Sequence, residues 1–157
     1  MPKKKITNIK IAIQQLKDYC ALQDRCQWDV IQKMREWNLM QDSWKNIIDI
    51  LIQEKYVDEE RYSRSFCRGK FKIKKWGKRK IINELRKKKI SKVYIDKGLE
   101  EIEDNEYEEE FERQYHKKNI LIKEKNLFER KKKIARFLIN KGYEDNLVWN
   151  QLRKLKE

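Results

Sequence analysis

Apolar residues recur along the chain in a pattern that appears three times. In the middle they fall at Ile81, Leu85, Ile90, Ile95, Leu99 and Ile102. Fifty-one positions earlier stand Val30, Met34, Leu39, Trp44, Ile48 and Leu51, and fifty-three later Ile134, Leu138, Tyr143, Val148, Leu152 and Leu155. The intervals of 4, 5, 5, 4 and 3 residues read as one helix, a short turn and a second helix. A further helix precedes each pair, carrying Ile9, Ile13, Leu16 and Cys20 in the first set and Tyr62, Ser63, Phe66 and Lys70 in the second. The third carries Tyr107, Phe111, Tyr115 and Ile122. Asp58 to Glu60 suit the first turn of the second of these helices, where acids complement the helix dipole. Asn38 and Gly142 precede the third anchor of their sets and tolerate the left-handed conformation that ends a helix. Lys89 stands at the equivalent place and does not fit, so the middle turn is expected to close differently. Asp42 and Ser43, Ser91, and Asp145 are the expected N-caps of the following helices. The expected fold is all-α: three tandem three-helix repeat modules, spanning 8–56, 57–104 and 105–157, in an elongated or curved array. One such unit has little core, so stacking or close linkage would help its stability.

Composition agrees with this reading. The 157 residues include one proline and four glycines, too little turn punctuation for a sheet protein. Cys20, Cys26 and Cys67 form no CxxC pair, and His116 is the single histidine. A disulfide framework or metal site is not expected, and each cysteine reads as a small buried apolar residue. There is no Gly-rich phosphate loop and no Ser/His/Asp set, so the chain is not expected to be an enzyme or to need a cofactor. No run approaches the ~18 apolar residues of a membrane span, and no apolar leader follows the basic Met1–Lys5. A cytoplasmic protein without a membrane partner is expected.

Charge changes the picture most. Lys and Arg number 40 against 26 acids, for a net charge of +14, which points to a polyanionic partner. The charge is clustered. Between Arg61 and Lys97 there are 16 basic residues and two acids. In "WGKRKIINELRKKKI", Ile81, Ile82 and Leu85 mark the buried side of a helix opened by Gly77, while Lys78, Arg79, Lys80, Arg86, Lys87 and Lys88 occupy the rest. Lysine and arginine stems can cover apolar surface while their heads stay in water, so one helix serves both core and cationic face. Arg130, Lys131, Lys132, Lys133 and Arg136 repeat the device around Ile134 and Leu138. The first module has only Lys33 and Arg35 at that place, so modules two and three are expected to carry most of the electrostatic contact, with compensation by the Met1–Lys5 tail as the alternative. Glu100 to Glu112 holds nine acids and no base. It reads as solvated helix ends or as a patch facing a basic partner surface. Trp76 reads as a staple at the helix entry, with base stacking as the alternative.

Certain residues resemble a known family. Tyr56, Val57, Asp58-Glu59-Glu60, Arg61, Tyr62 and Ser63, then Arg68, Gly77, Arg79, Ile81 and Glu84-Leu85, look like the middle repeat of RecX regulatory proteins. "YCALQDRC", Tyr19 to Cys26, is similar to the start of the family's first repeat. The chain departs from the pattern at Cys26, usually Ser or Thr, at Tyr62 and Ser63, usually Phe and Ala, and at Lys89, usually Gly. The resemblance implies an all-helical, non-catalytic modulator of RecA recombinase, binding in the groove of the RecA filament on single-stranded DNA and typically inhibiting it. The expected DNA- and filament-binding residues are Arg68, Lys72, Lys74, Lys75, Lys78, Arg79, Arg86, Lys87 and Lys88, with Arg130, Lys131, Lys132 and Lys133 in the third module. Expected partners are the RecA filament and single-stranded DNA, with double-stranded DNA a further candidate, engaged by a monomer. The competing reading is a general helical DNA-binding regulator with helix-turn-helix-like modules.

Overall fold

The computed structural model describes residues 5–156 and is all-helical there, with no strand among the described residues. The helices are α1 (Ile9–Leu22), α2 (Gln27–Glu36), α3 (Trp44–Gln53), α4 (Glu59–Lys72), α5 (Lys78–Lys87), α6 (Lys92–Leu99), α7 (Asp104–Leu121), α8 (Leu127–Asn140) and α9 (Asp145–Leu152). A short 3-10 turn, Gln41–Ser43, leads into α3. The helices run as three tandem three-helix repeats. In each repeat, five of the six periodic apolar positions are buried, and the sixth (Trp44, Leu99 or Leu155) packs partly buried against the core. Burial of these side chains supplies the main driving force for each repeat.

The three helix–helix turns close alike. Asn38, Lys89 and Gly142 have φ of 54°, 61° and 103°. In each, the following residue's N–H returns to the carbonyl five positions back: Leu39 to Met34, Ile90 to Leu85, Tyr143 to Leu138. The expectation of a different middle turn is therefore corrected. Lys89 adopts the left-handed conformation at the cost that a side chain carries there, because the six-residue closure satisfies the helix's last carbonyls. Two other details differ from the sequence reading. Asp58 is the N-cap of α4, its carboxylate accepting from the Arg61 N–H at 2.9 Å. Asp145 is the first residue of α9, and Glu144 is its N-cap. Along α1 the buried residues are Ala12, Leu16 and Cys20, with Ile9 exposed, and along α4 Cys67 and Phe71 are buried where Lys70 is not.

Among the described residues there are two apolar clusters. One runs from Ile6 to Val57. The other runs from Tyr62 to Leu152 and includes Cys26, so the second and third repeats share one core. Two close approaches shape this core, one within the second repeat and one between the second and third. At the crossing of α4 and α6, a Cβ on Gly98 would overlap Ser63 and Cys67. At the start of α5, a Cβ on Gly77 would overlap the backbone of Gly142 and Tyr143. There the opening amides of α5, which lack intrahelical partners, donate outward. Gly77 N–H bonds the Lys141 carbonyl (2.8 Å), Arg79 N–H the Gly142 carbonyl (2.9 Å) and Lys78 N–H the Tyr107 hydroxyl (3.0 Å). Tyr107 in turn donates to Glu144 at 2.6 Å.

Between the first repeat and the rest, polar contacts join the apolar ones that Cys26 and Trp28 make with the second core. Arg61 pairs with Asp24 at 3.1 Å, and the Gln27 N–H donates to Glu59 at 3.4 Å. Lys88 bonds Asp29 at 3.0 Å and the Tyr62 hydroxyl at 2.8 Å. All three cysteines are free and buried, and burial pushes the Cys20, Cys26 and Cys67 thiols up to about 11, 12 and 11, well away from the thiolate.

Candidate nucleic-acid interface

The basic residues singled out from sequence divide by what their charged ends touch. Five of the thirteen are tied into the fold. Arg130 turns inward: its guanidinium donates to the carbonyls of Asn119, Ile122 and Glu124 and clasps the turn between α7 and α8. Lys88 sits in the junction between repeats. Burial works to lower its pKa, but the Tyr62 and Asp29 bonds outweigh it, and the ammonium is held above its ordinary value. Lys75 reaches the buried Glu110 at 3.6 Å, and Lys78 lies over the Tyr107 ring at 4.6 Å with Asp104 nearby at 3.7 Å. Arg68 pairs with Glu101, which also faces Arg64.

These pairings account for much of the acidic run. Glu100 and Glu101 fasten to α4 through Arg64 and Arg68, and Glu110 is buried beside Gln114 and bonded by the exposed Arg113. Burial alone would raise the Glu110 carboxyl, but the Gln114 and Arg113 bonds and the Lys75 charge bring it below its usual range. Glu103, Glu106, Glu108 and Glu109 stay exposed.

The remaining eight cations face solvent wholly or in part. Lys72 and Lys74 are exposed at the end of α4, and Arg86 and Lys87 at the end of α5. Lys87 pairs with its helical neighbour Glu84 at 3.2 Å, and its side chain is 73% exposed. Arg79 pairs with Asp145 at 2.7 Å, but both side chains are more than half exposed, so solvent screens the pair and a phosphate could replace the carboxylate at little cost. Lys131 is partly buried, and Lys132 and Lys133 are paired loosely with Glu129 and Glu124.

α5 and the α8–α9 turn enclose a groove of about 740 Å³, lined by Arg79, Lys80, Arg86 and Lys87 together with Asn83 and Asn140 and the acids Glu84 and Asp145. Gly142, which meets the backbone at Gly77, also lines it, so the groove is built where the second and third repeats join. Two arginines offer forked donors and two lysines point charges, with asparagine amides between them, a set suited to phosphodiester oxygens. Asn83 and Asn140 were not legible as site residues. Nothing in the sequence links positions 83 and 140 until the two glycines bring their helices together. The second expected cluster does not line this groove. Lys131 to Lys133 lie in the first turns of α8, roughly 10–16 Å along the helix from the Gly142 turn. Trp76 is partly buried, with Lys80 at 4.5 Å and Lys70 at 5.0 Å from its ring centre, so it packs as a staple and does not offer a free face. The suggested compensating tail, apart from Lys5, lies outside the described residues. Among the described residues no group of His, Cys, Asp and Glu could hold a metal ion, and no helix is long and apolar enough to cross a membrane.

Comparison with known proteins bears on the fold that carries this groove. A family model described as RecX, second three-helix domain, matches residues 58–99, the repeat that contains α4, α5 and α6. The regulatory protein RecX of Clostridium botulinum is 32% identical over 110 residues, covering 69% of this chain and 51% of that protein. Its counterpart in Lactobacillus johnsonii is 24% identical over 136 residues, covering 87% and 50%, and that of Chlorobium limicola is 24% identical over 135 residues, covering 86% and 83%. The chain thus spans about half the length of several of these relatives. Two crystal structures have the same fold. One is a regulatory protein RecX, with a TM-score of 0.83 at 21% identity over 93% of this chain and 73% of that one. The other is RecX from Lactobacillus salivarius, with a TM-score of 0.78 at 21% identity over 94% and 97%. The repeat pattern, the α4–α6 sequence signature and the shared helical architecture converge, and the chain belongs to the RecX family of regulatory proteins.

Proposed function

We propose that the chain modulates filaments of the RecA recombinase, most simply as an inhibitor, and that it lies in the filament groove with its cationic faces toward DNA phosphates. Family membership supplies the target. The observation that supports the contact is the groove between α5 and the α8–α9 turn, where Arg79, Lys80, Arg86 and Lys87 outnumber the two lining acids, Glu84 and Asp145, whose pairs with Lys87 and Arg79 are solvent-exposed. The same reading makes the protein a cytoplasmic monomer without a catalytic step, built of modules at 8–56, 57–104 and 105–157. Single-stranded DNA is its nucleic-acid ligand, with duplex a weaker one.

The test is the ATPase of the cognate RecA on excess single-stranded DNA, titrated with this protein at fixed salt. Inhibition at concentrations well below that of RecA is the expected result. The double variant Arg86→Glu/Lys87→Glu should weaken it and reduce the log–log salt dependence by about 0.7 for each phosphate no longer neutralised. No inhibition, alongside ordinary DNA binding, would leave a general helical DNA-binding module as the better account.

A further inference from the structure

The turn between α7 and α8 is firmly built, yet it turns apolar side chains outward. Ile122 packs on the core, Arg130 clasps three carbonyls of the turn, and Asn126 caps α8 by accepting from the Glu129 N–H at 3.0 Å. Beside this clasp Ile120 is 82% exposed, Leu121 64% and Phe128 67%. Eight cations and two acids fall between residues 117 and 133, and the acids Glu124 and Glu129 face Lys133 and Lys132. Lys132 stands 5.1 Å over the Phe128 ring. The tip therefore exposes an aromatic ring and two aliphatic side chains in a stretch of exposed lysines that includes Lys117, Lys123 and Lys125.

We infer that this tip is a base-contacting site for single-stranded nucleic acid, with Phe128 stacking on an unpaired base, Ile120 and Leu121 beside it, and Lys123, Lys125 and Lys132 holding the flanking phosphates. Charge and apolarity together select this occupant. A second copy of a chain with net charge +14 would bring lysines against lysines. A bilayer-bound segment presents an apolar stripe along a whole helix, and here three residues stand at one tip. Single strands combine phosphates with accessible apolar base faces, and stacking on them tolerates any sequence. The site is separate from the α5 groove, and it rests on the nucleic-acid part of the function proposed above.

The test compares three labelled probes of equal length by fluorescence anisotropy: oligothymidylate, an abasic strand of the same charge, and a blunt duplex. The wild-type protein should bind oligothymidylate roughly 5- to 100-fold more tightly than the abasic strand. Phe128→Ala should bring that ratio close to one while leaving abasic binding unchanged. The ring is exposed, so the variant should keep its helical circular dichroism. Equal affinity of the wild type for the two strands, or a ratio that survives in Phe128→Ala, overturns the site. Abasic binding that still falls in Arg86→Glu/Lys87→Glu would then leave the α5 groove standing without the tip, whereas no binding of any probe overturns both. Sedimentation with phosphatidylglycerol vesicles is the last arm: Phe128-dependent vesicle binding without base discrimination assigns the tip to a lipid surface and overturns the proposal.

Discussion

Arg86, Lys87, Lys88 and Lys89 are four consecutive cations with three different tasks. Arg86 and Lys87 face the groove, Lys88 joins the first repeat to the second, and Lys89 forms a left-handed turn. Two predictions separate them. Lys88→Met should destabilise the protein by about 2–3 kcal/mol, because it leaves the largely buried Asp29 charge unpaired, while Lys87→Ala should stay within about 0.5 kcal/mol. Urea denaturation of the two variants checks this, and equal midpoints would contradict it. Lys89→Gly should stabilise by roughly 0.5–1 kcal/mol, since glycine occupies positive φ without a Cβ clash. A raised urea midpoint with an unchanged m-value is the expected result. Sequence made the cationic helix legible but could not divide its members. Lys87 and Lys88 are the same residue type side by side, and the partner that distinguishes them, Asp29, is 59 positions away from Lys88. Arg130 was misleading for a related reason: its acceptors are mainly backbone carbonyls, which no sequence pattern displays.

At the scale of elements, the helices and turns followed from apolar spacing, because a helix that must bury one face shows its period in the sequence. Gly77 was legible as the opening of α5. What it meets was not, since the contact with Gly142 spans 65 positions and depends on both residues lacking a side chain. Gly77→Ala should therefore cost roughly 2–4 kcal/mol, the sum of overlap with the Gly142 backbone and weakened bonds from the α5 amides. Gly69, inside α4, has nothing within 4 Å of where its Cβ would sit. Gly69→Ala should stabilise by about 0.5–1 kcal/mol through helix propensity alone. Thermal melts of the pair would read opposite signs. Loss of stability in both would mean that the α4 position is more crowded than its geometry indicates. Any loss of DNA affinity in Gly77→Ala beyond its loss of stability would reflect the groove, which Gly142 lines.

Across the whole molecule, the first repeat meets the shared second core through Cys26 and Trp28 and through a set of polar contacts, and Glu59 gives that junction a pH dependence. Burial raises the Glu59 carboxyl to about 7. The Gln27 N–H opposes the shift, and the charges of Asp29 and Asp58 add to it. The unfolded carboxyl titrates near ~4.3, so between about pH 4.5 and 7 the folded state retains a proton that the unfolded state has lost. Stability from this group is therefore full at the acid end of that window and falls as pH rises through it. After allowing for partial solvent screening, the loss is on the order of 1–2 kcal/mol. Glu60, Glu110 and Glu124 have lowered values and contribute with the opposite slope, mainly below the usual carboxylate range. The difference between wild type and Glu59→Gln isolates the one group. The amide oxygen still accepts from Gln27 but cannot ionise, so the variant should match the wild type near pH ~4.5 and exceed it above pH ~7. Urea unfolding at a series of pH values measures that difference directly. A constant offset across the range would mean that Glu59 is solvated at the junction, and that the two cores are held by the Lys88 and Arg61 pairs without a titrating partner.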